Sequence, residues 1–401
     1  MKKNLFNALL LLLIAVVFIQ CKKDEYEVIK ITKMITVDQM RALPVGLTKA
    51  TPAKKTGKIY IYNDYLFINE PGEGIHIYNN VNPGAPVNIA FVQIPGNIDL
   101  AIHNNVLYAD SFIDLLAFDI SNVSNIKQVK RVNDVFKQVY SLGVQKYLYI
   151  TKDTLVKKQT NKGGVLYEAA SYSSSSSKSG SSGQGGSMAR FTLMNDYLYT
   201  VGMNDLSLFD VKTASNPSFI KSISLGLGVE TIFPYENKLF IGTNTGMHIF
   251  NAADAANPVK LSTYSHVFAC DPVAVQGKYA FVTLRTGNMC RQAMNQLEVV
   301  DIEDPSKPKQ VAVFPMQNPH GLSVSGNNLF LCEGAFGIKS FNIDNKNEIG
   351  KNMLQHLSTI KSFDVIAGPK SLIVTGEDGV FQFDYRNAAN LRQLSIIKVV
   401  K

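Results

Sequence analysis

Short segments with alternating apolar and polar side chains recur along the chain at nearly constant spacing. An aromatic-rich segment appears first as DYLFI, and its eight copies follow one another at intervals of 41 to 50 residues. The copies centre on Leu66, Leu107, Leu148, Leu198, Leu239, Ala280, Leu329 and Leu372. A second segment that ends at Asp or Asn, such as DLLAFD or GMHIFN, follows every copy except the third, where TLVKKQ stands instead. A period of two residues predicts β-strands that bury one face.

The spacing of the copies indicates how these strands combine. Each unit of 41 residues in this sequence has room for four short strands, with Asp or Asn closing a tight turn and Pro stiffening the next connection. Four-stranded sheets repeated at about 40 to 45 residues are typical of β-propellers. The pattern therefore predicts an all-β fold, a β-propeller of about eight four-stranded blades. Seven blades is the alternative, if the degenerate third copy is not a full blade or if terminal strands combine to close the ring.

The first residues, MKKNLFNALLLLLIAVVFIQCKKDE, indicate export. The apolar stretch from Ala8 to Ile19 is shorter than the roughly 20 residues that span a bilayer. The position of Cys21 resembles that of the acylated cysteine of bacterial lipoproteins, although Gln20 stands where a small residue is usual. We interpret residues 1–20 as a lipoprotein signal peptide and Cys21 as the lipidation site. A plain secretory signal or a short anchor helix is the alternative.

The remaining chain divides by composition. Residues 21–56 are interpreted as a lipidated tether with one N-terminal strand, and residues 57–401 as the propeller. The KKDE after the cysteine resembles segments that direct lipoproteins to the cell surface, so an outer-membrane lipoprotein at the cell surface is predicted, with the periplasmic face as the alternative. Residues 171–187, SYSSSSSKSGSSGQGGS, are predicted to be an inert flexible insertion, and a glycosylated or partner-contacting loop is the minority alternative.

Several longer stretches carry a resemblance to a known family. The chain from Gly57 to Asp384 contains GKIYIYNDYLFINEPGEGIHIYN, GGSMARF, ACDPVAV, YAFVTLRTG and NPHGL. These motifs resemble the LVIVD-repeat cell-surface lipoproteins of Bacteroidetes. The resemblance implies an exported β-propeller and no assigned reaction.

Charged residues recur just before the first strand of each blade. In a propeller these first strands line the central channel, and the loops that enter them share one face, which we call the top face, with the loops between second and third strands. The predicted residues of this channel mouth are Lys58, Asp99, Tyr140, Arg190, Glu230, Asp271, His320 and Asp364, with Arg285 in a neighbouring loop. Crowded charges cost desolvation unless they pair or bind something. Either a mutually satisfied ring around a hydrated channel or a polar funnel for a ligand would meet this requirement.

Motifs of catalysis and metal binding are absent from the sequence. It has no G-x-S-x-G, Walker loop, H-E-x-x-H or EF-hand series, so no cofactor and no metal site are predicted. His76 and His248 occupy equivalent places in two repeats and are interpreted as structural. His320 with Asp271 is the remaining acid–base candidate, with Arg285 or Arg190 for charge stabilisation.

The cysteines fit a bridge better than a metal site. An oxidising compartment favours a disulfide, and Cys270 and Cys290 both fall on the top face of the same blade. We therefore predict a Cys270–Cys290 disulfide, which would contribute roughly 3 kcal/mol through chain entropy. Cys332 lies on a strand and is interpreted as a buried free thiol, although it is the rival partner for Cys290.

Composition and charge narrow the function classes. Hydrophobic residues make up 46% and charged residues 18% of the chain, which is ordinary for a globular protein. The net charge of +8 comes from scattered Lys and Arg, which does not favour nucleic acid as a partner. The favoured hypothesis is a binding or scaffolding module that engages a protein or glycan at the cell envelope and is held to the membrane by its lipid. A hydrolase or lyase at the channel mouth and a structural subunit of an outer-membrane complex are the alternatives; an enzyme is less favoured than a non-enzyme.

Overall fold

The computed structural model describes residues 26–136, 140–142, 145–157, 184–265, 272–286 and 295–400. These residues form two compact units. The smaller unit contains residues 26–41, 140–142 and 145–157, and the larger unit contains the other described residues.

Short β-strands follow one another along nearly the whole described chain. The first part contains β1 (Tyr26–Thr36), helix α1 (Val37–Arg41), β2 (Gly46–Thr48), β3 (Ile59–Tyr62), β4 (Tyr65–Glu70), β5 (Gly74–Asn79), β6 (Val87–Gln93), β7 (Leu100–His103), β8 (Val106–Ser111), β9 (Asp114–Asp119), β10 (Lys127–Val132), β11 (Tyr140–Leu142) and β12 (Gln145–Lys157). The next part contains β13 (Gln184–Gly185), β14 (Phe191–Met194), β15 (Tyr197–Val201), β16 (Asp205–Asp210), β17 (Ser218–Ser224), β18 (Val229–Tyr235), β19 (Lys238–Thr243), β20 (Gly246–Asn251) and β21 (Val259–Ser265). The last part contains β22 (Val273–Gln276), β23 (Tyr279–Leu284), β24 (Gln296–Asp301), β25 (Lys309–Pro315), β26 (Leu322–Ser325), β27 (Asn328–Cys332), β28 (Ile338–Asn342), a 3-10 helix (Ile349–Lys351), β29 (Met353–Leu357), β30 (Ser362–Ala367), β31 (Leu372–Gly376), β32 (Gly379–Asp384) and β33 (Arg392–Lys398).

The smaller unit is an antiparallel sheet in the order β1-β12-β11. Strand β1 pairs with β12 along its whole length, from Tyr26 opposite Lys157 to Thr36 opposite Tyr147. Helix α1 begins with a capping box, since the Gln39 N–H donates to Thr36 Oγ1 (3.1 Å) and the Thr36 N–H donates to Gln39 Oε1 (2.9 Å). The third copy of the sequence repeat is therefore one long strand of this unit.

The larger unit confirms the predicted all-β propeller. Its described residues form seven blades, each a sheet of four consecutive antiparallel strands. Blade 1 is β3–β6, blade 2 is β7–β10, blade 3 is β14–β17, blade 4 is β18–β21, blade 5 is β22–β25, blade 6 is β26–β29 and blade 7 is β30–β33. Eight blades, the main expectation from the repeat count, is wrong, and the alternative of seven is correct. The third copy is not a blade because its long strand pairs with β1, so the inner strand β7 of blade 2 contacts β14 of blade 3 directly.

The ring closes by side-chain packing between blades 1 and 7. Ile59 and Ile61 of β3 pack in one core cluster with Ile366 and Ile373 of blade 7. A reciprocal amide pair adds to this contact, because Asn80 donates to Gln382 Oε1 (3.1 Å) and Gln382 donates to Asn80 Oδ1 (2.8 Å). Blade 7 itself consists of four consecutive strands, and β2 extends the outer edge of blade 1.

The Asp or Asn that ends the third strand of each blade closes a turn, as the repeat pattern predicts. Its side-chain oxygen accepts the backbone N–H two residues later, at 2.9 Å in the Asp119, Asp210 and Asp301 turns. The same bond forms at Asn79, Asn251, Asn342 and Asp384. These local bonds give each blade the same tight connection to its outer strand.

Several sequence-based predictions fall outside the described residues. They are the signal peptide, lipidation at Cys21, the mouth residue Asp271 and the Cys270–Cys290 disulfide, and all of them stay predictions. Cys332 is described, and it is a free thiol that is fully buried. Among the described helices, none has the length and apolar character needed to cross a membrane.

Candidate functional site

The predicted mouth residues occupy one end of the ring. Each inner strand runs in the same direction along the channel, so residues that precede or begin these strands share that end. Lys58, Asp99, Arg190, Glu230, His320 and Asp364 all hold such positions, and Arg285 directly follows β23 in a loop of the same end. Tyr140 instead lies in β11 of the smaller unit and is not part of the ring.

The chain's own residues 184–190, which we call the channel segment, enter the channel at this end. Strand β13 pairs with the inner strand of blade 1, with Gln184 opposite Ile61. The Leu322 N–H of blade 6 donates to Ser187 Oγ (2.5 Å). The Ile232 N–H of blade 4 donates to the Ala189 carbonyl (2.7 Å). These bonds join the segment to the inner strands of three blades.

Two glycines, one in this segment and one in blade 6, let the backbone approach the buried carboxylate of Asp364. A Cβ on Gly186 would lie 2.0 Å from Asp364 Oδ2, and a Cβ on Gly321 would lie 2.1 Å from Oδ1. Asp364 Oδ1 also accepts the Val365 N–H at 2.9 Å. The predicted insertion covers residues 171–187, of which the structure describes residues 184–187, and these residues bond to inner strands of the ring.

Beneath the segment lies a group that we call the buried charge cluster, which comprises Lys58, Asp99, Asp110 and Asp364. Lys58 is 5% exposed, and Asp99 and Asp364 are each 3% exposed. Lys58 Nζ donates to the Met188 carbonyl of the channel segment (3.4 Å). Asp99 Oδ2 accepts the Arg190 N–H (2.5 Å), so the cluster bonds to two residues of the segment, Met188 and Arg190.

Asp110 is a member that the repeat pattern did not single out. Its Oδ1 accepts N–H groups from Ile98 (2.8 Å) and Asp99 (2.9 Å) and from the Asn97 amide (2.8 Å). It stands near the end of the second strand of blade 2, in LYADS, at the same end as the mouth residues. Asp at such a strand end is a weak sequence signal, because surface turns use the same residue.

Burial dominates the electrostatics of this cluster. Desolvation lowers the pKa of Lys58 to about 8, against the opposing attraction of Asp99. Desolvation raises the pKa of Asp110 to about 6 and raises the pKa values of Asp99 and Asp364, whereas Lys58 lowers the latter two. These groups interact electrostatically and are hydrogen-bonded to backbone and amide groups inside the protein.

A second group, which we call the mouth cluster, comprises Arg190, Glu230, Arg285 and His320. Arg190, Glu230 and Arg285 are partly buried. Burial raises the pKa of Glu230 to about 7, although Arg285 and Arg190 both oppose that rise. Burial also lowers the pKa of Arg285, and Glu230 opposes that change. The charged side chains of this cluster therefore interact electrostatically with one another.

Two members of the mouth cluster have unused hydrogen-bonding capacity. Within the described part of the chain, the Arg285 side chain has no ion pair and no hydrogen bond, and Glu230 is the charged group that interacts with it. His320 is 7% exposed, and its Nδ1 atom is buried without a hydrogen-bond partner. A partly buried guanidinium without a bonded anion is costly unless a ligand completes it.

The environment of His320 bears on the acid–base hypothesis. Burial, followed by the charge of Arg285, lowers the pKa of His320 to about 3. Its ring packs edge-on against Phe363 with centroids 5.6 Å apart, and its Nε2 lies 3.3 Å from the Asn318 amide. A neutral imidazole of such low basicity is poorly matched to proton transfer near neutral pH. In the ranges that the structure describes, no three His, Cys, Asp or Glu side chains are grouped to hold a metal ion.

Comparisons with known proteins agree with this architecture. The family model described as the LVIVD repeat matches residues 269–314, a span that overlaps blade 5. A protein from Lactobacillus plantarum is similar in structure, with a TM-score of 0.55 and 11% sequence identity, over 86% of this chain and 97% of that chain. The computationally designed protein Ika8 is similar with a TM-score of 0.54 and 9% identity, over 89% of this chain and 93% of its own.

A functionally unknown protein from Desulfotomaculum acetoxidans is also similar, with a TM-score of 0.50 and 11% identity, over 85% of this chain and 95% of that chain. The search of curated proteins found none that matches this chain. At such low identities the likeness extends to the fold alone. The chain is therefore a repeat β-propeller that contains an LVIVD repeat.

Proposed function

We propose that this chain is a binding or scaffolding module that engages a protein or glycan at the cell envelope through its top face. The observation that carries this proposal is the partly buried Arg285, which has no bonded partner among the described residues. The deeper charged groups of the channel are hydrogen-bonded within the protein, whereas the Arg285 side chain has no such bond among the described residues. A partner that forms hydrogen bonds with such a group offsets the free energy that the group loses when folding removes it from water.

Exposed apolar side chains on the same face support a binding role. Met203 is 57% exposed in the loop between the second and third strands of blade 3, and Leu227 is 78% exposed in the loop that enters blade 4. Phe336 is 43% exposed in the corresponding loop of blade 6. Large apolar side chains in loops beside charged groups are typical of surfaces that contact another molecule.

The first test is partner capture from intact cells. We expect Arg285→Ala to reduce recovery of the captured partner about tenfold, because a charge-assisted hydrogen bond contributes about 1.5–3 kcal/mol. The matched control is Arg386→Ala, since Arg386 lies on an outer turn of blade 7, where it pairs with Asp384. Quantitative mass spectrometry of the captured proteins and glycans is the measurement.

Two other outcomes would point elsewhere. Equal recovery with wild type and Arg285→Ala would contradict the proposal. If crosslinks then placed one stoichiometric envelope protein against the blade rims, the structural-subunit alternative would replace it. Consumption of a substrate in an Arg285-dependent and His320-dependent manner would instead favour the hydrolase or lyase.

The proposal includes export and a lipid anchor at Cys21, with the outer membrane and its cell-surface side as the location. Its support is the N-terminal sequence, in which a basic start and a short apolar stretch precede the cysteine. We expect Cys21→Ser to move the protein from the membrane fraction to the soluble envelope or the medium, since a lipid chain is then missing. Fractionation and intact mass measurement test this, and unchanged membrane association would contradict the anchor.

A further inference from the structure

We infer that the mouth cluster binds a carboxylate carried by an acidic peptide segment of the partner, and that an apolar neighbour in that segment contacts Met203 and Leu227. This inference rests on the proposed function and names the chemistry of its ligand.

The first argument is charge. Arg285 and Arg190 carry two positive charges at the mouth. Arg190 also interacts with the buried carboxylates of Asp99 and Asp110, whereas Glu230 is the one described carboxylate that interacts with Arg285. Arg190 Nε donates to the Val201 carbonyl (3.2 Å), whereas the Arg285 side chain has no hydrogen bond to any described residue. A guanidinium presents its N–H groups as a planar fork that matches a carboxylate. A ligand carboxylate would therefore use the side-chain N–H groups of Arg285 that bond to none of the described residues.

The second argument is the nature of the adjoining surface. The Val229 N–H donates to the Met203 carbonyl (3.0 Å), so Met203 lies beside the start of the strand that carries Glu230. Leu227 precedes Glu230 by only a few positions and is the most exposed large apolar side chain described. Flexible aliphatic side chains suit an apolar residue of a peptide, whereas sugar rings pack best on aromatic faces. The surroundings thus favour a peptide over an acidic glycan.

The third argument is the position of Glu230 as an internal competitor. Its carboxylate senses Arg285 and Arg190, the groups that a ligand carboxylate would use. His320 stays neutral near pH 7 because its pKa is about 3, so it adds no charge there. Protonation of Glu230 removes the competing negative charge, since its pKa lies near 7. Affinity for a carboxylate is therefore expected to increase as the pH falls through this value.

The test uses the full chain and a short fluorescein-labelled peptide of alternating leucine and aspartate. Fluorescence anisotropy gives the affinity, with the same peptide carrying asparagine in place of aspartate as the neutral probe and an oligogalacturonate as the glycan probe. We expect the acidic peptide to bind and the neutral peptide to bind at least about tenfold more weakly. Arg285→Gln should lower the affinity for the acidic peptide by a similar factor, and Arg386→Gln should leave this affinity unchanged.

Further variants separate the ligand contacts from folding. Leu227→Ser should weaken the acidic peptide severalfold, because Leu227 is exposed and its change leaves the core intact. Arg285→Lys should fall between wild type and Arg285→Gln, since it keeps the charge without the fork. Wild type should bind more tightly at about pH 6 than at about pH 8, and Glu230→Gln should show a smaller difference in affinity between these two pH values.

The outcomes distinguish this inference from the proposed function. Equal binding of acidic and neutral peptides, or preference for the oligogalacturonate, would overturn the peptide carboxylate. If capture from cells still depended on Arg285, the proposed binding function would remain supported although the ligand would not be a peptide carboxylate. If the peptide bound but capture did not depend on Arg285, the proposed cellular role would fail while the site remained.

Discussion

Lys58→Met is expected to lower the free energy of unfolding by about 3–5 kcal/mol near neutral pH, the typical cost of leaving a buried charge without its compensating partner. Lys58 is almost fully buried among Asp99, Asp110 and Asp364, and its Nζ bonds to the channel segment. Removing its charge leaves buried carboxylates without the cation that lowers the pKa values of Asp99 and Asp364. Denaturant-induced unfolding at several pH values is the measurement.

The pH dependence gives this prediction its sign. Asp99, Asp110 and Asp364 have folded-state pKa values above those of the unfolded chain, so the folded form binds more protons and stability falls as pH rises through that window. Without Lys58 the carboxylate pKa values rise further. The deficit of Lys58→Met relative to wild type should therefore grow between about pH 5 and about pH 7.

Lys370→Met is the control for this experiment. Lys370 pairs with Asp64 on the surface at 2.6 Å, and both side chains are well exposed. Such a pair contributes about 0–1 kcal/mol, so its loss should be small and nearly independent of pH in this range. Equal losses for the two lysine variants, or a deficit that shrinks with rising pH, would show that the cluster is not electrostatically coupled as described.

Gly186→Ala is expected to destabilise the propeller by about 1–3 kcal/mol, in the range of overpacking substitutions. The added methyl would meet the Asp364 carboxylate at 2.0 Å, so either the carboxylate or the channel segment must move. Movement would break the bonds that tie the segment to blades 1, 4 and 6. Thermal unfolding is the measurement, and a drop of several degrees is expected.

Gly84→Ala is the matched control, because Gly84 lies on an exposed turn and its nearest neighbour to a new Cβ is an Asn82 oxygen at 3.3 Å. We expect its melting temperature to stay within about a degree of wild type, as for most surface substitutions. If Gly186→Ala melted together with Gly84→Ala, the channel segment would not be a structural part of the propeller.

The mouth illustrates how far sequence reasoning reaches into the site. Spacing from each strand anchor placed Lys58, Asp99 and Arg190 at the correct end of the ring, since inner strands of a propeller start at one face. The same rule included Tyr140 because it assumed that the third copy forms a blade, whereas Tyr140 lies in the smaller unit. Spacing could not separate the satisfied charges from Arg285, since pairing depends on distances between blades.

The channel segment shows more clearly what cannot be predicted from the sequence. Its residues belong to a Ser- and Gly-rich stretch that composition assigns to a flexible loop. What buries Gly186 and Ser187 is contact with Asp364 and Leu322, which lie far away in the sequence. The adjacent glycines Gly185 and Gly186 are the local sign of a close backbone approach, and glycines are common in loops for other reasons.

The sequence by itself determined the blade as a unit, including its strands, its Asx turns and the end of the ring at which charges gather. These features depend on side-chain alternation and on bonds between neighbouring residues, which a local pattern records. Only the tertiary structure decided that seven copies form blades, that the third copy pairs with β1, and that residues 184–190 bond to inner strands of the ring. Those outcomes depend on packing and hydrogen bonds between segments that are distant along the chain, where no periodic pattern carries the information.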